Sequence, residues 1–226
     1  MAKTISIAID GPAGAGKSTI AKALAKELGY QYVDTGAIYR TVAYFLDLWG
    51  VSPKDIDAVT RYIDELTIGI EYDETGLQHM IMNGMDVTDD IRTQDISQKA
   101  SLVSAHAVVR EMLLDMQRDV AKAYNVIMDG RDIGTVVLPR ANVKIFLTAS
   151  AEVRAKRRTE ELLAKGQKAQ YDKILKEIQQ RDYQDTHREV APLKMARDSI
   201  KVDTSDMTIE EVIAKIKGIV LEKVGK

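Results

Sequence analysis

A glycine-rich loop near the start of the chain constrains this sequence more than any other feature. Residues 11–18 match the pattern G-x-x-x-x-G-K-[ST] at every fixed position. The apolar run 5–9 comes directly before the loop, and apolar residues at helical spacing, Ile20, Leu24 and Leu28, follow it. Strand, loop and helix in this order predict a phosphate-binding loop at the end of a buried strand.

The residue types in this loop are those that a nucleoside triphosphate requires. Glycines let successive backbone N–H groups approach phosphate oxygens, and the helix N-terminus adds a positive dipole end. The Lys17 ammonium is predicted to lie against the β- and γ-phosphates, and the Ser18 hydroxyl to complete a Mg²⁺ shell. Kinases, GTP switches and motor ATPases share this loop, so the rest of the chain has to separate these classes.

Further apolar runs predict the remainder of the fold. Runs of strand length recur at 126–128, 143–147 and 199–202, and helical patterns lie between them. Strands that alternate with helices favour a parallel sheet covered on both faces. The predicted fold class is therefore α/β, with a P-loop parallel sheet flanked by helices.

One stretch breaks the alternation of strands and helices. Short apolar runs at 68–72, 77–82 and 85–87 are separated by turn residues, including an Asn-Gly dipeptide that is typical of tight hairpins. We expect an inserted three-stranded antiparallel meander. Residues 55–95 carry eleven acidic residues and two arginines, and this local charge supports a separate subdomain.

Composition excludes several classes of protein. The 226 residues have a formal net charge of −2, which argues against nucleic-acid binding through the overall field. Without cysteine there is no thiol nucleophile or zinc–thiolate site, which fits a reducing compartment. No apolar run approaches the roughly 20 residues of a membrane span, and no signal-peptide pattern is present. We expect a cytoplasmic protein with no membrane or nucleic-acid partner.

Charged clusters at the predicted loop end of the sheet indicate a second ligand. Arg40 lies on the first turns of a helix that Asp34 or Thr35 can cap. The tetrapeptide Asp-Gly-Arg-Asp, 129–132, follows a buried strand, where ligands of open α/β sheets bind. Its first aspartate is the acid expected near Mg²⁺, and its arginine and second aspartate are expected to face the acceptor.

Arginine forks are more numerous than hydrolysis would need. A P-loop GTPase needs only one arginine finger, whereas transfer between two phosphorylated molecules must screen more phosphates. The surplus therefore favours an already phosphorylated acceptor. The arginines in question are Arg40, Arg131, Arg157, Arg158, Arg181 and Arg188.

Six segments together resemble bacterial cytidylate kinases. They are IDGPAGAGKS (9–18), DTGAIYR (34–40), IRT (91–93), DGRDIGTVV (129–137), VKIFLTA (143–149) and the pattern RD…DTHR…APL within 181–193. The resemblance runs from about Thr4 to Leu221. The meander resembles the enlarged monophosphate-binding region of the bacterial enzymes. Thr35 stands where serine is usual in that family, and because the hydroxyl is kept we expect little change.

The resemblance implies in-line phosphoryl transfer from ATP to CMP or dCMP with Mg²⁺, in a monomer. It implies a single kinase chain over 1–226 with three parts. These are a core (about 1–34, 96–152 and 170–226), a monophosphate-binding insert (about 35–95) and a basic lid (about 153–169).

The resemblance also implies the site residues. ATP binding falls to Gly11, Pro12, Ala13, Gly14, Ala15, Gly16, Lys17, Ser18 and Thr19. The CMP phosphate would be bound by Arg40, Arg131 and Arg188, with Thr35 beside them. Cytosine would be bound by Ser101, Arg110 and Asp132, and the sugar by Arg181 and Asp185. The catalytic residues implied are Lys17, Arg131, Arg157 and Arg158. The metal would be held by Ser18 and Asp129.

Two other functions remain open at this point. One is a P-loop kinase that phosphorylates a hydroxyl, for which Asp132 could serve as the base. The other is a regulatory nucleotide-binding module. The chain lacks the Asn-Lys-x-Asp motif that a GTP switch uses to read its base, which counts against the second.

Overall fold

The computed structural model describes residues 4–225 and contains one parallel and one antiparallel sheet with helices around them. In chain order the elements are β1 (Ser6–Asp10), α1 (Lys17–Leu28), β2 (Gln31–Asp34), α2 (Thr35–Leu48), α3 (Ile56–Ile63), β3 (Ile68–Tyr72), β4 (Gln78–Met82), β5 (Met85–Asp86), α4 (Gln94–Val103), α5 (Ala107–Ala123), β6 (Val126–Gly130), β7 (Val143–Thr148), α6 (Ala151–Ala164), α7 (Tyr171–His187), β8 (Ile200–Asp203) and α8 (Ile209–Val224). Within this range no helix is long and apolar enough to cross a membrane.

The five-stranded sheet has the order β2-β6-β1-β7-β8, and all of its pairings are parallel. Side chains alternate between two apolar clusters along the central strand β1. Ala8 points to the cluster that holds α2, α4 and α5, whereas Ile7 and Ile9 point to the cluster that holds α1 and α8. Both faces are thus covered, which explains why the strands read as continuous apolar runs. The predicted α/β fold class is confirmed.

The glycine-rich loop turns sharply between β1 and α1. Gly11 has a φ of 152°, and a Cβ at this residue would lie 1.9 Å from the carbonyl oxygen of Leu147 in β7. Any side chain here would collide with the backbone of the neighbouring strand, so the position requires glycine. The close approach fixes the height of the loop above the sheet edge.

The three-stranded sheet β3-β4-β5 is the predicted meander, which is confirmed. Its Asn83-Gly84 turn has φ values of 49° and 83°, as a tight hairpin with two left-handed residues requires. Gln78 at the start of β4 joins this sheet to the end of β2. Its side-chain amide accepts from the Asp34 N–H at 2.7 Å and donates to the Asp34 carbonyl at 3.3 Å. The insert is therefore held against the carboxyl edge of the main sheet.

Candidate active site

The residues predicted to bind the acceptor meet in one cleft at the carboxyl edge of the parallel sheet, together with Ala13, Gly14, Lys17 and Ser18 of the predicted ATP-binding set. Because β1, β2 and β6 are parallel, the segments that follow them open onto the same edge. The cleft has a volume of about 240 Å³, and Lys17, Ser18 and Asp129 line its phosphate-loop end. The rest of the lining includes every residue predicted to bind the acceptor: Thr35, Arg40, Ser101, Arg110, Arg131, Asp132, Arg181, Asp185 and Arg188.

Lys17 is a buried cation at the floor of the cleft. The residue is 5% exposed, and its Nζ donates a hydrogen bond to the Pro12 carbonyl at 2.8 Å. Burial, and then the nearby charge of Arg131, lower the pKa of Lys17 to about 7. An anion beside it would reverse both effects, so the geometry suits a bound phosphate.

Ser18 and Asp129 form a pair of oxygen ligands suited to a metal. The Ser18 hydroxyl donates to one Asp129 carboxylate oxygen at 3.0 Å, and the Tyr32 hydroxyl donates to the other at 2.7 Å. Burial, and then the charge of Asp34, raise the pKa of Asp129. Mg²⁺ takes oxygen ligands and usually only one or two from protein, with phosphates and waters completing its shell. The pair therefore fits Mg²⁺ brought in with a nucleotide.

Arginine forks form the next part of the cleft. Arg40 pairs with Asp34 at 3.0 Å, and Arg131 pairs with Asp185 at 2.8 Å. The Nε atoms of Arg40 and Arg181 are buried and have no hydrogen-bond partner among residues 4–225. Burial, and then the charge of Arg131, lower the pKa of Arg181 to about 10. Unpaired buried donors are costly, and a phosphate group would satisfy them.

A further part of the cleft centres on Asp132. One carboxylate oxygen of Asp132 accepts from Arg110, and the other accepts from Arg188 at 3.2 Å. Arg110 also lies 5.5 Å from the centre of the Tyr39 ring. Asp132 therefore does not pair with Arg131 across its own turn. An acceptor carboxylate beside arginine donors is suited to a ring that offers both an amino group and acceptor atoms.

The turn that carries Asp132 is fixed from below by two side chains. Asp10 accepts hydrogen bonds from the N–H groups of Ile133 and Gly134, each at 2.7 Å. The Thr35 hydroxyl donates to the Asp129 carbonyl at 2.7 Å. Burial raises the pKa of Asp10 to about 6 despite these bonds. The hydroxyl of Thr35 is thus used to hold the turn in place.

Two predicted lid arginines point away from the cleft. Arg157 donates to the Thr204 carbonyl at 2.6 Å, and Arg158 pairs with Glu161 at 2.8 Å on the same helix. Neither lines the cleft in this conformation. Their expected role over ATP would therefore require α6 to move.

Sequence reasoning missed four residues that shape the site. Asp10 ends β1 and Tyr32 lies in β2, and neither was assigned a role from the sequence, although a carboxylate at a strand end next to the glycine loop is a signal that could have indicated one. Arg154 and Asp182 form a nearly buried ion pair beside the phosphate loop. Their partnership joins residues 28 apart in the chain, and no local pattern indicates it.

The cleft combines a glycine loop of the kind that binds a triphosphate with arginines suited to an anionic acceptor. The protein is therefore a P-loop phosphotransferase of the kinase class. Comparison with known proteins then identifies its family. The family described as "Cytidylate kinase" matches residues 7–222, and the chain belongs to that family.

The similar proteins match this chain along nearly their whole length. A cytidylate kinase from Caldicellulosiruptor saccharolyticus is 48% identical over 99% of this chain and 98% of its own. One from Geobacillus sp. (strain WCH70) is 48% identical over 100% of both chains, and one from Clostridium tetani is 45% identical over 96% of this chain and 93% of its own. Among solved structures, a shikimate kinase from Bacteroides thetaiotaomicron is 16% identical, with a TM-score of 0.47 over 96% of this chain and 98% of its own.

Proposed function

We propose that this protein transfers the γ-phosphoryl group of ATP to CMP and dCMP, giving ADP with CDP or dCDP. The observation that carries the proposal is the Asp132 carboxylate, held between Arg110 and Arg188 in the lining of the cleft. Cytosine presents an amino donor beside two acceptor atoms, which complements a carboxylate next to guanidinium groups. Names of the similar proteins support the same substrate.

The proposed mechanism needs positioning and charge screening and no general base. The attacking atom is a CMP phosphate oxygen, which is already ionised at neutral pH. Arg40 and Arg131 would hold that phosphate, and Lys17 would stabilise the charge that develops on the transferred group. Mg²⁺, held by Ser18 and Asp129, would neutralise charge on the ATP phosphates. Asp185, which anchors Arg131, would contact the sugar together with Arg181.

The division into core, insert and lid belongs to the proposal. In this conformation Arg157 and Arg158 bind groups outside the cleft, so closure of the segment 153–169 would have to bring them to ATP. Hydrogen exchange tests this division. ATP and CMP analogues together should protect amides of that segment more than either analogue alone, and equal exchange in all states would contradict a moving lid.

Monomeric state and cytoplasmic location complete the proposal. All proposed ATP and CMP contacts come from one chain, so no second copy is needed to build the cleft. Sedimentation at micromolar concentration should give a species of one chain, and cell fractionation should recover the activity with cytoplasmic markers.

One assay tests the reaction itself. ADP release is measured with ATP and a panel of acceptors: CMP, dCMP, UMP, AMP, GMP and simple hydroxyl acceptors. CMP and dCMP should give the highest kcat/KM. A hydroxyl acceptor that turns over faster would make the protein a different small-molecule kinase, and slow hydrolysis without transfer would make it a regulatory module.

A further inference from the structure

A partly buried ion pair outside the cleft connects the phosphate loop with the helix that carries Arg181 and Asp185. We propose that Arg154 and Asp182 are a positioning pair that couples the binding of ATP to the binding of the monophosphate, so that each substrate tightens the other. This inference rests on the proposed function, because it assigns the coupling to the two substrates named there.

Arg154 of α6 connects several parts of the chain. Its Nε donates to the Ala149 carbonyl at 3.0 Å, and its Nη1 donates to the Ala13 carbonyl of the phosphate loop at 2.9 Å. The same guanidinium forks onto Asp182, with distances of 3.0 Å and 2.5 Å to the two carboxylate oxygens. Its stem also lies against the phosphate loop, because a Cβ at Gly14 would meet the Arg154 Cβ at 3.6 Å.

Asp182 lies on the helix that carries two of the predicted acceptor residues, Arg181 and Asp185. In α7 it follows Arg181 directly, and it precedes Asp185 by three residues, which places Asp182 and Asp185 on neighbouring turns. Asp185 in turn holds Arg131 at 2.8 Å. A continuous set of polar contacts therefore runs from Ala13 through Arg154 and α7 to the arginine beside Lys17.

Neither member of the pair lines the cleft, so neither is expected to touch substrate in this conformation. The Arg154 side chain is only 4% exposed and that of Asp182 is 25% exposed, so the pair is screened less than a surface pair. Guanidinium and carboxylate form two parallel bonds, which fix orientation as well as distance. A shift of the loop that moves Ala13 must therefore be followed by Arg154 and α7, or must break charge-assisted bonds.

Coupling follows from what each ligand would order. ATP fixes the phosphate loop, and through Arg154 and Asp182 it fixes the angle of α7 before CMP arrives. CMP then loses less freedom on binding, which appears as higher affinity. By thermodynamic linkage CMP must tighten ATP by the same factor.

The test measures the CMP dissociation constant by calorimetry, with and without a non-hydrolysable ATP analogue. In the unmodified protein the analogue should tighten CMP by about fivefold or more, the usual lower range of site-to-site coupling. Asp182→Asn keeps shape and removes charge, and Arg154→Lys keeps charge and removes the fork. Each substitution should bring the ratio of the CMP dissociation constants without and with the analogue to within about twofold of one. The affinity for CMP alone should change less.

Asp119→Asn is the matched control, because Asp119 forms an exposed pair with Lys122 on α5 and should leave the ratio unchanged. Thermal unfolding of each variant shows whether it is folded. If Asp182→Asn does not fold, the test is made with Arg154→Lys. A ratio near one in the unmodified protein, or an unchanged ratio in a folded variant, overturns the coupling. Absence of CMP binding to the unmodified protein would instead overturn the proposed function.

Discussion

At the scale of single residues, the burial of Lys17 is unfavourable for folding but suits the role proposed for it in phosphoryl transfer. It lies in a buried position beside Arg131, where burial and that charge lower its pKa to about 7. A bound triphosphate would place negative charge beside this ammonium group and stabilise it. The same burial that lowers its pKa strengthens its interaction with charge developing on the transferred phosphoryl group.

Lys17→Met removes this charge at nearly constant length. We expect kcat to fall by about 100-fold or more, the scale of a lost electrostatic donor at a transition state. Steady-state kinetics with ATP and CMP measures the effect, and Lys26→Met, an exposed change on the same helix, is the control. Near-normal turnover in a folded Lys17→Met protein would refute the role given to the loop.

Asp132→Asn tests base recognition. The amide can donate to a uracil carbonyl where the carboxylate could not, so kcat/KM for CMP should fall and the preference for CMP over UMP should narrow. The expected change in preference is about 1–3 kcal/mol, as for a bidentate base contact. The two kcat/KM values in one protein provide the comparison. An equal fall for both substrates would move Asp132 to a role in the geometry of the phosphate site.

Among the elements, the antiparallel insert is held together at its surface by a histidine. His79 of β4 lies between Asp86 of β5, at 2.7 Å, and Asp73 of the β3–β4 turn, at 3.6 Å. The hydrogen bond to Asp86 raises the pKa of His79. Hydrogen bonds from Thr88 lower the pKa of Asp86 to about 2, so that carboxylate stays ionised at all ordinary pH values.

The insert should therefore be more stable in mild acid. A histidine whose pKa is raised by folding stabilises the sheet below its unfolded pKa of about 6.5, and this contribution is lost as pH rises through the folded pKa. Hydrogen-exchange protection of β3 and β4, corrected for intrinsic rates, should be higher near pH 5.5 than near pH 8. His79→Gln should remove the difference. Equal protection at both values in the unmodified protein would contradict the prediction.

Elements that rest on local patterns could be predicted from the sequence, and long-range pairs could not. The strand runs and the Asn83-Gly84 hairpin follow from apolar periodicity and turn chemistry, which neighbouring residues encode. Asp132 could be singled out because it lies in the segment 129–137, whereas Arg110 lies in none of the quoted segments and was assigned only by the family resemblance. The pairing of Arg154 with Asp182 depends on how α6 and α7 cross, and the partners of Arg157 depend on where β8 ends. Such contacts exist only after the elements have packed.

For the whole molecule, the unfavourable burial of the Lys17 ammonium group should appear in the free energy of unfolding. Folding lowers the pKa of Lys17 from 10.5 to about 7. Between these values the unfolded chain holds more protons, so this group makes the free energy of unfolding rise with pH; below 7 it is protonated in both states and adds no slope.

Lys17→Met should therefore be more stable than the unmodified protein at pH 7, and its advantage should shrink as pH rises towards 10. Urea unfolding of both proteins at several pH values, without nucleotide, measures the difference. Titrating groups far from Lys17 contribute equally to both proteins and cancel in the comparison, whereas Asp10 and Asp129, whose pKa values the Lys17 charge lowers, contribute at the acid end of the range. An advantage that stays constant over this range would show that the pKa of Lys17 is not lowered by folding.

The charges that line the cleft also affect how fast substrates arrive. Six cationic side chains and four carboxylates line it, an excess of two positive charges in a molecule of net charge −2. The surrounding surface therefore repels nucleotides while the cleft attracts them, which guides an anion towards the one opening where it can bind. Because salt screens such fields over about 8 Å at physiological ionic strength, encounter rates should fall steeply as salt is added. The association rate of nucleotides would then depend on the difference in charge between the cleft and the rest of the surface. Acidic residues far from the site would contribute to that difference.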